Sequence, residues 1–173
     1  MPFLGDLLNR SNFKLLGVSF ACHCWPPIAL HCNQLECLLN WVRIIMTQIR
    51  QKYLQDTTVT IVLVGSCAHS RRYVDWELKS SLRQGQYTPN GVMGIILPSQ
   101  GDSCDLPQRL ANNWSQGHAN CYARYWVYPS SGQELREWIE DAYSARTSRA
   151  HLINNSQDMM KYNARCNLHQ VTH

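Results

Sequence analysis

The apolar positions of this 173-residue chain fall into two rhythms that alternate along it. Val59-Thr60-Ile61-Val62-Leu63-Val64 is an unbroken aliphatic and β-branched run that stops at Gly65, the mark of a strand buried on both faces. Residues 13–20 (FKLLGVSF) and 91–98 (GVMGIILP) predict two more strands, and Arg124 to Tyr128 a final one. Between them the spacing changes to three and four. Leu35, Leu38, Leu39, Val42, Ile45 and Ile49 mark one face of an amphipathic helix within 28–54. Val74, Leu78 and Leu82 do the same over 72–84, where Gly85 is placed to end the helix. Ser130 or Ser131 offers an N-cap, and Glu134 follows Ser131 at capping-box spacing. The helix after it, SGQELREWIEDAYSAR, is expected to pack Leu135, Trp138, Ile139 and Ala142. Residues 99–123 read as polar and irregular, with a short helix after Pro107.

Strands alternating with helices predict an α/β fold with a central parallel sheet and helices on both faces. The expected division is an N-terminal extension 1–11, a domain 12–147, and a polar tail 148–173 that wraps the surface without a further element. Open α/β sheets bind ligands beyond the carboxyl ends of their strands. That directs attention to the loop after Val64 and to Glu77, the carboxylate on the early turns of the helix leaving it.

Composition narrows the function classes. With 45% hydrophobic and 16% charged residues the chain is an ordinary globular one. Its net charge of +4 is dispersed, Arg71-Arg72 being the single adjacent basic pair, so no nucleic-acid footprint is expected. No apolar run approaches the roughly 18 residues of a membrane span. The start, MPFLGDLLNRSNFK, lacks the basic leader and apolar stretch of a secretory signal. Eight cysteines in such a chain are expected to be reduced thiols, which places it in the cytoplasm.

Cys22, His23, Cys24, His31, Cys32 and Cys37 gather potential metal ligands, but Cys22 and Cys24 are one residue apart and no second knuckle follows, so no metal is expected. Cys67, Cys104, Cys121 and Cys166 are scattered; Cys67 reads as small packing and His69 as a solvated loop residue.

Residues 58–98 resemble the TIR-like family, most closely the bacterial branch that includes the TIR subunit of Thoeris antiphage systems. The matching pieces are the strand Val59–Gly65, the turn Ser70-Arg71-Arg72-Tyr73-Val74, the helix Trp76-Glu77-Leu78-Lys79-Ser80-Ser81-Leu82 and the strand Gly91–Pro98. Leu106-Pro107 before a short helix, and an aromatic final strand before an amphipathic helix, extend the likeness to roughly residues 45–147. The resemblance implies a flavodoxin-like three-layer sandwich. Only 37 residues separate Phe20 from Thr58, so its second-strand region is expected to be shortened.

Enzymatic members of the family split NAD at the nicotinamide–ribose bond with the glutamate that corresponds to Glu77. The resemblance therefore implies an NAD glycohydrolase or ADP-ribosyl cyclase with NAD as substrate and no cofactor. It further implies self-association through TIR surfaces and a separate effector protein that senses the product during antiphage defence. Ser19, Phe20, Ser66, Ser70 and Trp76 are the residues expected to border the substrate. One carboxylate is enough for such chemistry: nicotinamide leaves as a neutral molecule, and a nearby carboxylate steadies the oxocarbenium-like ribose. The alternative is a non-catalytic TIR-like interaction module. A receiver-like or nucleotide-binding protein of the same fold would need an acidic cluster after the first strand or a glycine-rich phosphate loop, and this chain shows neither.

Overall fold

Among the described residues four strands run side by side in chain order: β1 (Phe13–Leu16), β2 (Val59–Val64), β3 (Gly91–Ile96) and β4 (Arg124–Trp126). All neighbours are parallel, with Leu16 opposite Val62, Val64 opposite Ile96 and Ile95 opposite Trp126. The computed structural model describes residues 13–16, 57–85, 87–100 and 105–172. The helix predicted within 28–54 and the shortened second-strand region lie outside these residues. A flavodoxin-like sheet of order 2-1-3-4-5 places its first, third, fourth and fifth strands in this same sequence. The architecture is thus α/β, as the alternating pattern predicts, and flavodoxin-like, as the resemblance implies.

Side chains on β2 and β3 alternate between two cores. Val62, Val64 and Val92 face α1 (Arg72–Ser81) and α2 (Gln108–Ala111), packing with Val74, Leu78, Leu82 and Leu110. Val59, Ile61, Met93 and Ile95 face α3 (Gly132–Ser148), packing with Leu135, Ile139 and Ala142. Both strands are buried on both faces, which is why their sequences are continuous apolar runs. Gly91 lets α3 settle close, since a Cβ there would run into the carbonyl of Ala142. Trp138 stacks on Trp126 with rings 4.9 Å apart.

Several element ends differ from the sequence expectation. α1 stops at Ser81, three residues before the predicted end. Its last carbonyl accepts the Asn90 N–H at 2.8 Å, and the Ser81 hydroxyl bonds Thr60 of β2, so the chain is already turning back toward β3. Gly85 takes a positive φ of 113° inside that return. β3 ends at Ile96, and β4 spans three residues where five are predicted. The N-cap of α3 is Ser131, whose hydroxyl accepts the Glu134 N–H. The Glu134 carboxylate reaches one residue further back, to the N–H and hydroxyl of Ser130.

After α3 the chain makes a 3-10 turn at Ala150–Leu152 and crosses over α1 and α2. It closes in a tight turn bridged between Arg165 and Thr172. The segment expected to carry no further element thus holds a 3-10 turn and a bridged turn, and bonds buried groups of α1 and α2 between them.

Candidate functional site

The loop leaving β2 is built by short-range bonds. The Ala68 N–H reaches Gly65 O at 3.1 Å, the Ser70 N–H reaches Cys67 O, and the Ser70 hydroxyl donates to that same carbonyl at 3.0 Å. The resulting 3-10 turn, Ala68–Ser70, delivers the chain into α1 at Arg72. Glu77 is the sixth residue of α1, about 7.5 Å along the axis from its start. It is half-buried.

The packing fixes which flank Glu77 occupies. α2 lies on the same sheet face as α1, over β3 and β4, because a Cβ on Gly94 would meet Leu110 and the Cβ of Tyr125, each at 2.9 Å. Asp75 of α1 pairs with Arg109 of α2, so the Asp75 flank faces α2. Asp75 and Lys79 each stand two residues from Glu77, about 160° around the helix. Glu77 is therefore on the opposite flank, toward β1.

The α2-facing flank is sealed by residues 154–164. Arg109 is 1% exposed, yet each of its three guanidinium nitrogens has a partner. Nε bonds Asp75 Oδ1 at 2.8 Å, Nη1 bonds Asn155 Oδ1 and Gln157 O, and Nη2 bonds Asp158 O. Asp75 Oδ2 takes the Met160 N–H at 2.9 Å. The indole N–H of Trp76 donates to Met160 O, and Lys79 Nζ to Gln157 O. Burial, and then the Arg109 charge, hold the Lys79 pKa below its ordinary value. The Ala164 N–H closes the segment onto Ser70 O.

A second cluster joins the same loop to the C-terminal turn. Cys67 Sγ lies 3.2 Å from His169 Nδ1, and the buried Cys166 Sγ donates to Ser66 O. Burial raises the Cys67 pKa, and the neighbouring Cys166 thiol adds to it. Burial also opposes ionisation of Cys166, but bonds from Cys67 and from the His169 and Leu168 backbone outweigh it and lower its pKa. Cys67, Cys166 and His169 bring three ligand-type atoms within 4.8 Å of one another. His69 Nε2 accepts the Asn167 N–H and lies 3.8 Å from Asp105.

The predicted site residues thus divide. Glu77 takes the β1 flank of α1, and Ser66 stays in the loop, its carbonyl engaged by Cys166. Ser70 and Trp76 are buried, and their polar groups bond the loop and the C-terminal segment. Ser19 and Phe20 lie outside the described residues. The Asp75–Arg109 pair carries no local signal, its members being 34 residues apart; of the Cys67–Cys166–His169 cluster only the Cys166-x-x-His169 spacing is local, Cys67 lying about 100 residues earlier.

This parallel sheet, with a glutamate on the helix after the central strand, is that of an α/β protein of flavodoxin-like fold. Residues 38–102 match the family model described as Thoeris protein ThsB, TIR-like domain, and over that stretch the chain is similar to that family. The matched stretch contains β2, the loop, α1 with Glu77, and β3, while α2, β4 and α3 lie beyond it. No curated protein and no solved structure gives a significant match. Among the described residues no helix is long and apolar enough to cross a membrane.

Proposed function

We propose that this protein cleaves NAD at the nicotinamide–ribose bond, with Glu77 as the catalytic carboxylate, as the signal-generating step of an antiphage defence. The observation that carries the reading is the place of Glu77 within the matched stretch: half-buried, on the flank of α1 turned toward β1, away from the flank the C-terminal segment seals. There the carboxylate is separated from the Asp75–Arg109 pair.

The chemistry asks little else of the protein. The C–N bond breaks with its electron pair going to the pyridinium ring, so nicotinamide departs neutral and needs no acid. The ribose gains oxocarbenium character, and a carboxylate bonded to its hydroxyls stabilises that charge most strongly at the transition state. Water then adds with loss of a proton, giving ADP-ribose, or a nucleophile within the same molecule closes a ring. Glu77→Gln keeps the shape and removes the charge.

Incubation of the purified full chain with NAD should release nicotinamide, and Glu77→Gln should lower the rate by about 100-fold or more. Equal release from the variant removes Glu77 from the mechanism. Absence of release from wild-type protein across its assembly states would instead favour the interaction-module reading.

A further inference from the structure

The cluster between the loop after β2 and the C-terminal turn is not used by the proposed NAD chemistry, and its composition points elsewhere. Two thiols and an imidazole converge from chain segments about 100 residues apart. Their ligand atoms all lie within 4.8 Å of one another, and Cys67 Sγ is 3.2 Å from His169 Nδ1. A tetrahedral ion with metal–sulfur bonds of about 2.3 Å and metal–nitrogen bonds of about 2.0 Å needs neighbouring ligand atoms about 3.5–3.8 Å apart. The three atoms reach that spacing by side-chain adjustments of a few tenths of an ångström to about one ångström.

The backbone that carries these ligands is set independently of any ion. Cys166 and His169 form a Cys-x-x-His turn, closed by Cys166 N–H to Val171 O at 2.7 Å and Gln170 N–H to Cys166 O at 2.8 Å. Asn167, between the two ligands, is tied to His69 through its N–H and to Asp105 through its side chain. The Cys67 backbone is held by the turn that Ser70 closes. His69 stands two residues on from Cys67, with its Nδ1 buried and unpartnered among the described residues. The site therefore joins a local Cys-x-x-His turn to a thiol about 100 residues earlier, a pairing that spacing along the sequence does not reveal.

We propose that Cys67, Cys166 and His169 bind a thiophilic divalent cation of the zinc class, with solvent in the fourth position beside the exposed His169. Two thiolates and an imidazole favour such an ion over magnesium or calcium, which take oxygen ligands. Bound there, the cation fastens the C-terminal segment to the loop after β2. Its role is to hold that loop in place, and it stands independently of the role proposed for Glu77.

The test uses the full chain, reduced with a phosphine and stripped of metal, titrated with Co²⁺ while thiolate-to-cobalt absorbance is followed, then challenged with Zn²⁺. A band should appear and be abolished by Zn²⁺. It should persist when Cys22, Cys24, Cys32 and Cys37 are all replaced by Ser, which removes the other thiol-rich stretch. Cys166→Ser and His169→Ala should each weaken cobalt affinity by about 100-fold or more. His169→Ala guards against a folding artefact, because His169 is exposed and its loss should leave the metal-free thermal melt unchanged. The proposal is overturned if wild-type protein gives no band, if the band survives both Cys166→Ser and His169→Ala, or if it disappears only when the N-terminal cysteines are replaced.

Discussion

The buried Arg109 side chain makes four hydrogen bonds among the described residues. A guanidinium with 1% exposure is tolerable because Asp75 neutralises it and three acceptors from the C-terminal segment take three of its four remaining donors. Removing one partner strands the other. Arg109→Ala should therefore destabilise the protein by about 3–5 kcal/mol in chemical denaturation. The double change Asp75→Leu with Arg109→Met should recover much of that loss, because it removes both charges together. Glu77, two residues from Asp75, should behave differently: Glu77→Gln should change stability by no more than about 1 kcal/mol while abolishing nicotinamide release. On the proposed reading, two carboxylates on one helix divide between holding the fold and meeting the substrate, and denaturation midpoints read beside rates separate the two roles.

At the scale of elements, periodicity within the sequence identified what local forces control. β2, β3, α1 and α3 were legible because their apolar positions repeat at the spacing their burial requires. The capping of α3 was legible for the same reason, to within one residue. Element ends were not. α1 stops at Ser81 because Asn90 and Thr60 claim the Ser81 carbonyl and hydroxyl, an arrangement that depends on β2 and β3 being in place. The site was half legible: Glu77 stood out beside its strand and loop, but the burial of Ser70 and Trp76 required the returning chain. The family likeness read over roughly 45–147 is matched over 38–102, so the C-terminal half of that reading rests on the fold alone. Gly91 shows how closely the layers fit. Gly91→Ala would drive a methyl into the Ala142 carbonyl of α3, a backbone atom that cannot rotate away. The expected loss is about 3 kcal/mol or more, read as a lowered thermal midpoint.

For the molecule as a whole, the alkaline limb of the stability profile should report on Tyr122. Its phenol is buried and donates to Asn90 O at 2.6 Å. Burial raises its pKa far above the ordinary value of 10.0, although Arg146 and Arg149 pull the other way. Below pH 10 both folded and unfolded phenols keep their protons, so this contribution to stability is complete. Above it the unfolded phenol ionises first, and stability should fall with rising pH until the folded group also titrates. Lys79, whose pKa is lowered, works in the opposite sense: the folded amine releases its proton first, so stability rises over the interval below 10.5. Above pH 10.5, where the Lys79 contribution is complete, denaturation midpoints should fall for wild-type protein, and Tyr122→Phe should flatten that fall.

The crossing of residues 154–164 over α1 also sets an order of events during synthesis. Arg109 leaves the ribosome 46 to 49 residues ahead of the acceptors that accompany its burial, and Ser70 precedes its partner Ala164 by more than 90. At translation rates of about 5–20 residues per second, the guanidinium stays hydrated for seconds while the sheet beside it assembles. The flank bearing Asp75 must therefore stay open until late, and a nascent chain arrested before residue 154 should remain vulnerable to proteases at α1.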